Sequence, residues 1–315
     1  MRHKAFTVLA SFRNCDSGIW ASLGSSLMWG ALPLYWYLLR DVSPFYILCH
    51  RVVWACLFLL PLVILTRRMG EVVKAARDAK TLRALFCSSL VLAFNWGLYI
   101  WAVNNGRVIE ASLGYFISPL ITICMGVVLF RDRPSPMRWV AIVIAFAGIL
   151  AEIGINGNVP WAGLCQSVSF STYALLRKVG RVESLPGLML ETAILFPFSV
   201  VFIAWCHYYA VPGTGAIGLT DILLLMGAGV VTSTPLILYA YGARRLPFMT
   251  LGILQYVSPL LSALIGVFVF REPLTAGRIA SLSAIWLALV LYTADTIRNN
   301  AHARVEKTVI SRRSR

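Results

Sequence analysis

Residues Tyr115–Arg133 read YFISPLITICMGVVLFRDR, and 140 positions later residues Gln255–Pro273 read QYVSPLLSALIGVFVFREP. Ser-Pro falls on Ser-Pro, and Phe-Arg-Asp on Phe-Arg-Glu. The match extends beyond this segment, with Tyr99 on Tyr239 and Arg138 on Arg278. A proline inside an apolar run removes a helical hydrogen bond, so its recurrence at one register identifies a duplicated unit.

Composition says what kind of unit it is. Of the 315 residues, 59% are hydrophobic and 13% charged, against about 25% charged in soluble domains. Apolar runs of about 20 residues, the length that crosses a bilayer as a helix, recur from Gly18 to Ala294. We read ten spans near 18–39, 45–65, 82–103, 109–130, 137–155, 159–176, 187–209, 219–241, 247–270 and 277–296. The link near Asn156-Gly157-Asn158 is short enough to demand a tight helical hairpin.

The net charge of +15 would suggest nucleic-acid binding in a soluble chain, but here the basic residues crowd the short loops. With the N-terminus inside, 23 Lys/Arg fall on inner segments and four on outer ones, with Arg51 inside the membrane. The positive-inside rule then puts both termini in the cytoplasm. No nucleic-acid partner is expected. The seven cysteines make no CxxC pair or Cys/His cluster, so no metal site is expected and they read as packing residues. Residues 1–17 lack the apolar core of a cleavable signal.

Span four corresponds to span nine and span three to span eight, so each unit holds five spans. An odd number reverses direction between units. The expected fold is an all-α polytopic membrane protein of two inverted five-helix repeats, 18–155 and 159–296, with tails at 1–17 and 297–315. Inverted repeats are characteristic of secondary transporters with a midplane site between the halves. Some channels are built the same way.

Four motifs, HRVVW (50–54), NWGLYIWAVN (95–104), EASLGYFISPL (110–120) and ETAILFP (191–197), together resemble the RarD-type permeases of the EamA family in the drug/metabolite transporter superfamily. The resemblance spans residues 18–296. It implies ten helices in a bacterial inner membrane, a permease described by chloramphenicol sensitivity or resistance, export in preference to import, and six helices (spans one, three, four, six, eight and nine) around a central cavity.

Several residues are candidates for function. Ser118, Thr122 and Gly126, and their copies Ser258, Ser262 and Gly266, are spaced by four and share one helix face, suited to close helix packing. Pro119 and Pro259 free the carbonyls of Tyr115 and Gln255 near the midplane, where they must face protein or a cavity; each proline is either a hinge or a fixed kink. His50 and Arg51 enter span two, with Arg51 about 9 Å deep at 1.5 Å per residue. Glu191 is about 6 Å deep from the opposite side, which favours Glu110 over Glu191 as the contact of Arg51. These charges are either a structural tie or part of gating or coupling. His50 makes a coupling proton a candidate partner.

Trp29, Asn95, Tyr99, Trp101, Tyr115, Gln166, Tyr173, Tyr239, Gln255 and Tyr256 fall on the six cavity helices that the resemblance implies. Aromatic rings with a few amides suit a small planar or amphipathic organic solute. Trp36, Trp139 and Tyr292, near span ends, read as interface anchors. No HExxH, GxSxG, Walker or dinucleotide signature is present, so neither an enzyme nor a cofactor is expected. The expectation is a secondary transporter for a small organic metabolite or drug; the alternatives are a channel of the same fold and a membrane sensor or assembly protein.

Overall fold

The computed structural model describes residues 2–105, 108–156, 161–209, 211–214, 218–271 and 276–313. These residues form twelve helices and no strands: α1 Arg2–Tyr37, α2 Pro44–Leu65, α3 Met69–Arg77, α4 Ala79–Asn104, α5 Val108–Leu129, α6 Pro136–Asn156, α7 Trp161–Val179, α8 Ser184–Tyr208, α9 Leu219–Arg245, α10 Phe248–Gln255, α11 Val257–Phe268 and α12 Ala276–Arg313. Among the described residues, six stretches are long and apolar enough to cross a bilayer, α10 and α11 counting as one, and Gly114–Leu129 and Leu282–Asp295 are shorter apolar helices. The expected hairpin link at 157–158 lies outside the described residues.

Two features depart from the span list. The basic stretch after span two is not a plain loop. It forms the short amphipathic helix α3, with Val72 and Ala75 buried and Glu71, Lys74 and Arg77 outward, the pattern of a helix lying in the membrane interface. Span nine is broken at Tyr256 into α10 and α11, whereas its copy, α5, runs unbroken through Pro119.

The neighbouring helix explains the difference. In α5 the carbonyls flanking Tyr115 and Pro119 receive donors from α7: Ser167 Oγ bonds the Gly114 carbonyl at 2.8 Å and Ser171 Oγ the Ser118 carbonyl at 3.1 Å. Thr122 also donates to the Ser118 carbonyl. Side chains thus help satisfy backbone around the helical bond that proline removes. The partner of span nine is α1. There Gly30 meets the Ser258 carbonyl, and glycine has no side-chain donor.

The halves interlock. α5 packs on α7 and α10, α11 packs on α1, α6 on α12, α2 on α8 and α9, and α1 on α9. The fourth span of each half therefore lies on the first span of the other. The small-residue stripes make these contacts. Thr122 bonds Ser171 at 3.1 Å, and Ser262 donates to the Gly30 carbonyl at 3.0 Å. A Cβ on Gly126 would come within 2.6 Å of the Met249 amide nitrogen, and one on Gly252 within 2.7 Å of the Pro119 carbonyl. Gly266 is buried.

The repeat also copies an awkward backbone. Arg131 and Arg271 both adopt left-handed conformations, with φ of 55° and 53°, which cost a non-glycine residue roughly 1–2 kcal/mol. Both end the spans that carry the duplicated stretch. Tyr292 is not at an interface as its position suggested. It is buried between α6 and α12, under Arg138 and bonded to the Thr250 hydroxyl at 2.9 Å.

Candidate functional site

The first cluster lies toward the end of the bundle away from the basic loops, where α2 begins and α4 ends. Arg51 of α2 is held between Trp36 and Trp96, its guanidinium carbon 5.0 and 4.8 Å from the two ring centroids. Trp36, expected at the lipid interface, instead packs on a half-buried cation. Arg51 Nε donates to Thr232 Oγ1 at 3.1 Å. Among the described residues no carboxylate pairs with Arg51. Glu110, the contact that depth favoured, lies outside the described side chains. On the next residue, His50 accepts from Trp54 Nε1 at 3.2 Å and its Nε2 is buried without a partner.

Tyr99 and Tyr115 stand edge to face, 6.0 Å between centroids, and both lie near Arg51. Tyr115 also lies beside the Gln166 side chain of α7. Helices on several sides surround Tyr115, yet 48% of it is accessible, and 37% of Tyr99. Surface that is accessible yet enclosed by other helices faces an internal opening rather than lipid. Asn95 forms its wall, donating to the Gln166 carbonyl at 2.7 Å and to Ser169 at 2.9 Å. Trp101 stacks on Trp161, 5.0 Å away, toward the rim.

The other expected cavity residues are sealed. Trp29 packs on Phe170 and Tyr239 at 5.5 and 5.2 Å, and Tyr173 and Tyr239 are fully buried. Gln255 Nε2 bonds the Tyr239 hydroxyl. Tyr256 turns away into the apolar core shared by α5, α6, α11 and α12. The ten residues are thus divided between an open group, a closed aromatic plug and one core residue. Ser118 Oγ, Gln166 Oε1, Gln255 Oε1 and the Tyr256 hydroxyl are buried without partners. Orphaned polar atoms are rare in dry cores.

Toward the basic loops, the plug is backed by an ionic lock that the span boundaries concealed. Arg177, assigned to the loop after span six, is the last-turn residue of α7 and pairs with Glu191 at 3.5 Å. Glu191 also accepts from Ser88 and from the Tyr173 hydroxyl. Lys178 donates to the carbonyls of Ala243 and Leu246, and Arg244 to those of Gly180 and Val182. Asp132 accepts from the Met249 amide at 3.0 Å, so the first half caps a helix of the second. Arg177 is not one of the four quoted motifs, and its spacing of four from Tyr173 was the available signal. An apolar groove of about 490 Å³ between α4 and α7 is lined by Leu90, Phe94 and Val168 among others. It has no charged group to orient a solute.

An all-helical bundle with, among the described residues, six stretches long and apolar enough to cross a bilayer is the architecture of a polytopic membrane protein. Comparison with known proteins agrees. The model of the EamA-like transporter family matches residues 16–151. The uncharacterized transporter PA0485 of Pseudomonas aeruginosa is 35% identical over 91% of this chain and 96% of its own length. The protein RarD of Streptomyces exfoliatus is 36% identical over 91% of each. A solved crystal structure, 19% identical, superimposes with a TM-score of 0.68 over 88% of this chain and 98% of the other, sharing the fold. The chain belongs to the EamA-like transporter family and is a multi-pass membrane transporter.

Proposed function

We propose that the protein is a secondary transporter that carries a small organic solute across a bacterial inner membrane by alternating access between its two halves. The observation that carries this reading is the asymmetry along the bundle. At one end Tyr99 and Tyr115 are accessible around Arg51. At the other, the Trp29–Phe170–Tyr239 plug and the Arg177, Lys178 and Arg244 ties close the path. A carrier has one end open and one closed, and exchanges them. With the basic loops cytoplasmic, as the positive-inside rule requires, this is the outward-open state, and both termini are cytoplasmic. Export then corresponds to release from this opening.

No nucleotide-binding loop is present in the sequence, so transport against a gradient draws on an ion or solute gradient. His50, with a free ring nitrogen beside Arg51, is the candidate group for a coupling proton.

The test is uptake into proteoliposomes from a broad solute library, with and without an imposed pH gradient. Saturable flux of at least one solute, accelerated by counter-solute on the opposite side, is expected. Flux linear in concentration without counterflow indicates a channel and overturns the carrier reading. No flux of any solute overturns transport.

A further inference from the structure

We propose that the solute is an organic acid, and that Arg51 takes its carboxylate while the exposed Tyr115 and Tyr99 rings take a planar body. The inference rests on the transporter reading and names its substrate class.

The argument begins with what is left of Arg51. A guanidinium has five N–H donors in a planar fork and two faces. The rings of Trp36 and Trp96 lie 5.0 and 4.8 Å from its central carbon. One donor, on Nε, is used by Thr232. The four donors on the terminal nitrogens bond no described residue, and these nitrogens are not among the buried unpartnered atoms, so they reach open space. What remains is the edge that matches a carboxylate through two parallel hydrogen bonds. The tryptophans and Thr232 fix that edge in direction, so little order is lost when an anion docks.

The surroundings then select among anions. A cation held several ångströms inside the membrane with no carboxylate partner among the described residues is costly, and a ligand carboxylate offsets that cost where water does so only in part. Tyr115 and Tyr99 present accessible ring surface to the same opening, which suits stacking of a flat apolar body. The two features define a carboxylate and a planar ring. An inorganic anion would use only the first.

The experiment compares three compounds of one shape on the purified full-length protein in detergent: indole-3-acetate, indole-3-acetamide and tryptamine, by isothermal titration calorimetry. The acetate should bind roughly 10- to 100-fold more tightly than the amide, the span expected for charge-assisted hydrogen bonds, and tryptamine should bind most weakly. Arg51→Gln should remove the preference, so that the acetate binds no more tightly than the amide. Amide or amine binding equal to the acetate overturns the proposal, as does binding of none of the three or a preference that survives Arg51→Gln. Should that variant not fold, the wild-type ranking decides by itself. Calorimetry decides the substrate class and library flux the transporter reading, so either can fail alone. Saturable flux of other solutes with no acid preference removes only the class.

Discussion

Arg177 and Glu191 form an ion pair whose side chains are 3% and 1% accessible, joining the end of one helix to the start of the next in the second half. The pair is well supported. Arg177 also donates to the carbonyls of Glu183 and Ser184, and Ser88 and Tyr173 complete the carboxylate. Removing one member strands a buried charge, which costs about 3–5 kcal/mol. Arg177→Met should therefore lower the unfolding temperature in detergent sharply. The double variant Arg177→Met/Glu191→Leu should regain most of the loss, since neither charge is left alone. A double variant as unstable as the sum of the singles would show the pair to be individually stabilising instead.

Gly187 tests the same pair without touching either charge. A Cβ there would lie 2.2 Å from an Arg177 terminal nitrogen. Gly187→Ala should displace the guanidinium and destabilise by about 1–3 kcal/mol, the usual range for overpacking. Gly97→Ala is the control, since nothing lies within 4 Å of its Cβ direction. In mid-helix that change should be stabilising by about 0.5–1 kcal/mol. Equal melting shifts for the two variants would mean that Arg177 does not cross Gly187.

Much of this architecture was legible from the duplicated stretch. The apolar runs that carry it read as membrane-crossing helices, and the described residues are all-helical, with six stretches long and apolar enough to cross a bilayer. A spacing of four places residues on one face regardless of what they meet, and Thr122, Gly126 and Ser262 of the stripes do touch neighbouring helices. The identities of the partners were not legible. The Ser258 carbonyl of span nine meets Gly30 of α1, which has no side-chain donor, whereas α5 receives Ser167 and Ser171. Depth along a span excluded Glu191 as the contact of Arg51, but it could not nominate Arg177, because the boundary drawn at 176 left that arginine in a loop. Nor could periodicity divide ten aromatic and amide residues into open and sealed groups, since that division is a property of the conformation rather than of the sequence.

The paired left-handed arginines make a local prediction. At Arg131 and Arg271 glycine removes the Cβ that the positive φ penalises, while losing one exposed charge. Arg131→Gly and Arg271→Gly should each be neutral or stabilising by up to about 1 kcal/mol. β-branched replacements, such as Arg131→Val, should be destabilising. The measurement is the unfolding midpoint of each variant. A loss of stability with glycine at both sites would indicate that the side chains outweigh the backbone cost.

The cap from Asp132 to Met249 is the contact through which the first half holds the closed end of the second. Its loss costs about 0.5–2 kcal/mol as a helix cap, but only in the state where the two spans meet at that end. Asp132→Ala should therefore shift the balance toward the conformation open at the basic face by roughly 2- to 30-fold, the same free energy expressed as a population ratio. Ala243 is fully buried behind the plug in the present state. In a background lacking the seven cysteines, Ala243→Cys should react slowly with a membrane-impermeant maleimide applied from the basic side of inverted vesicles. Adding Asp132→Ala should speed that reaction, while Asp132→Glu, which keeps an acceptor, should speed it less. Labelling unchanged by Asp132→Ala would place the restraint elsewhere, with the carbonyl contacts of Lys178 and Arg244 as the remaining ties.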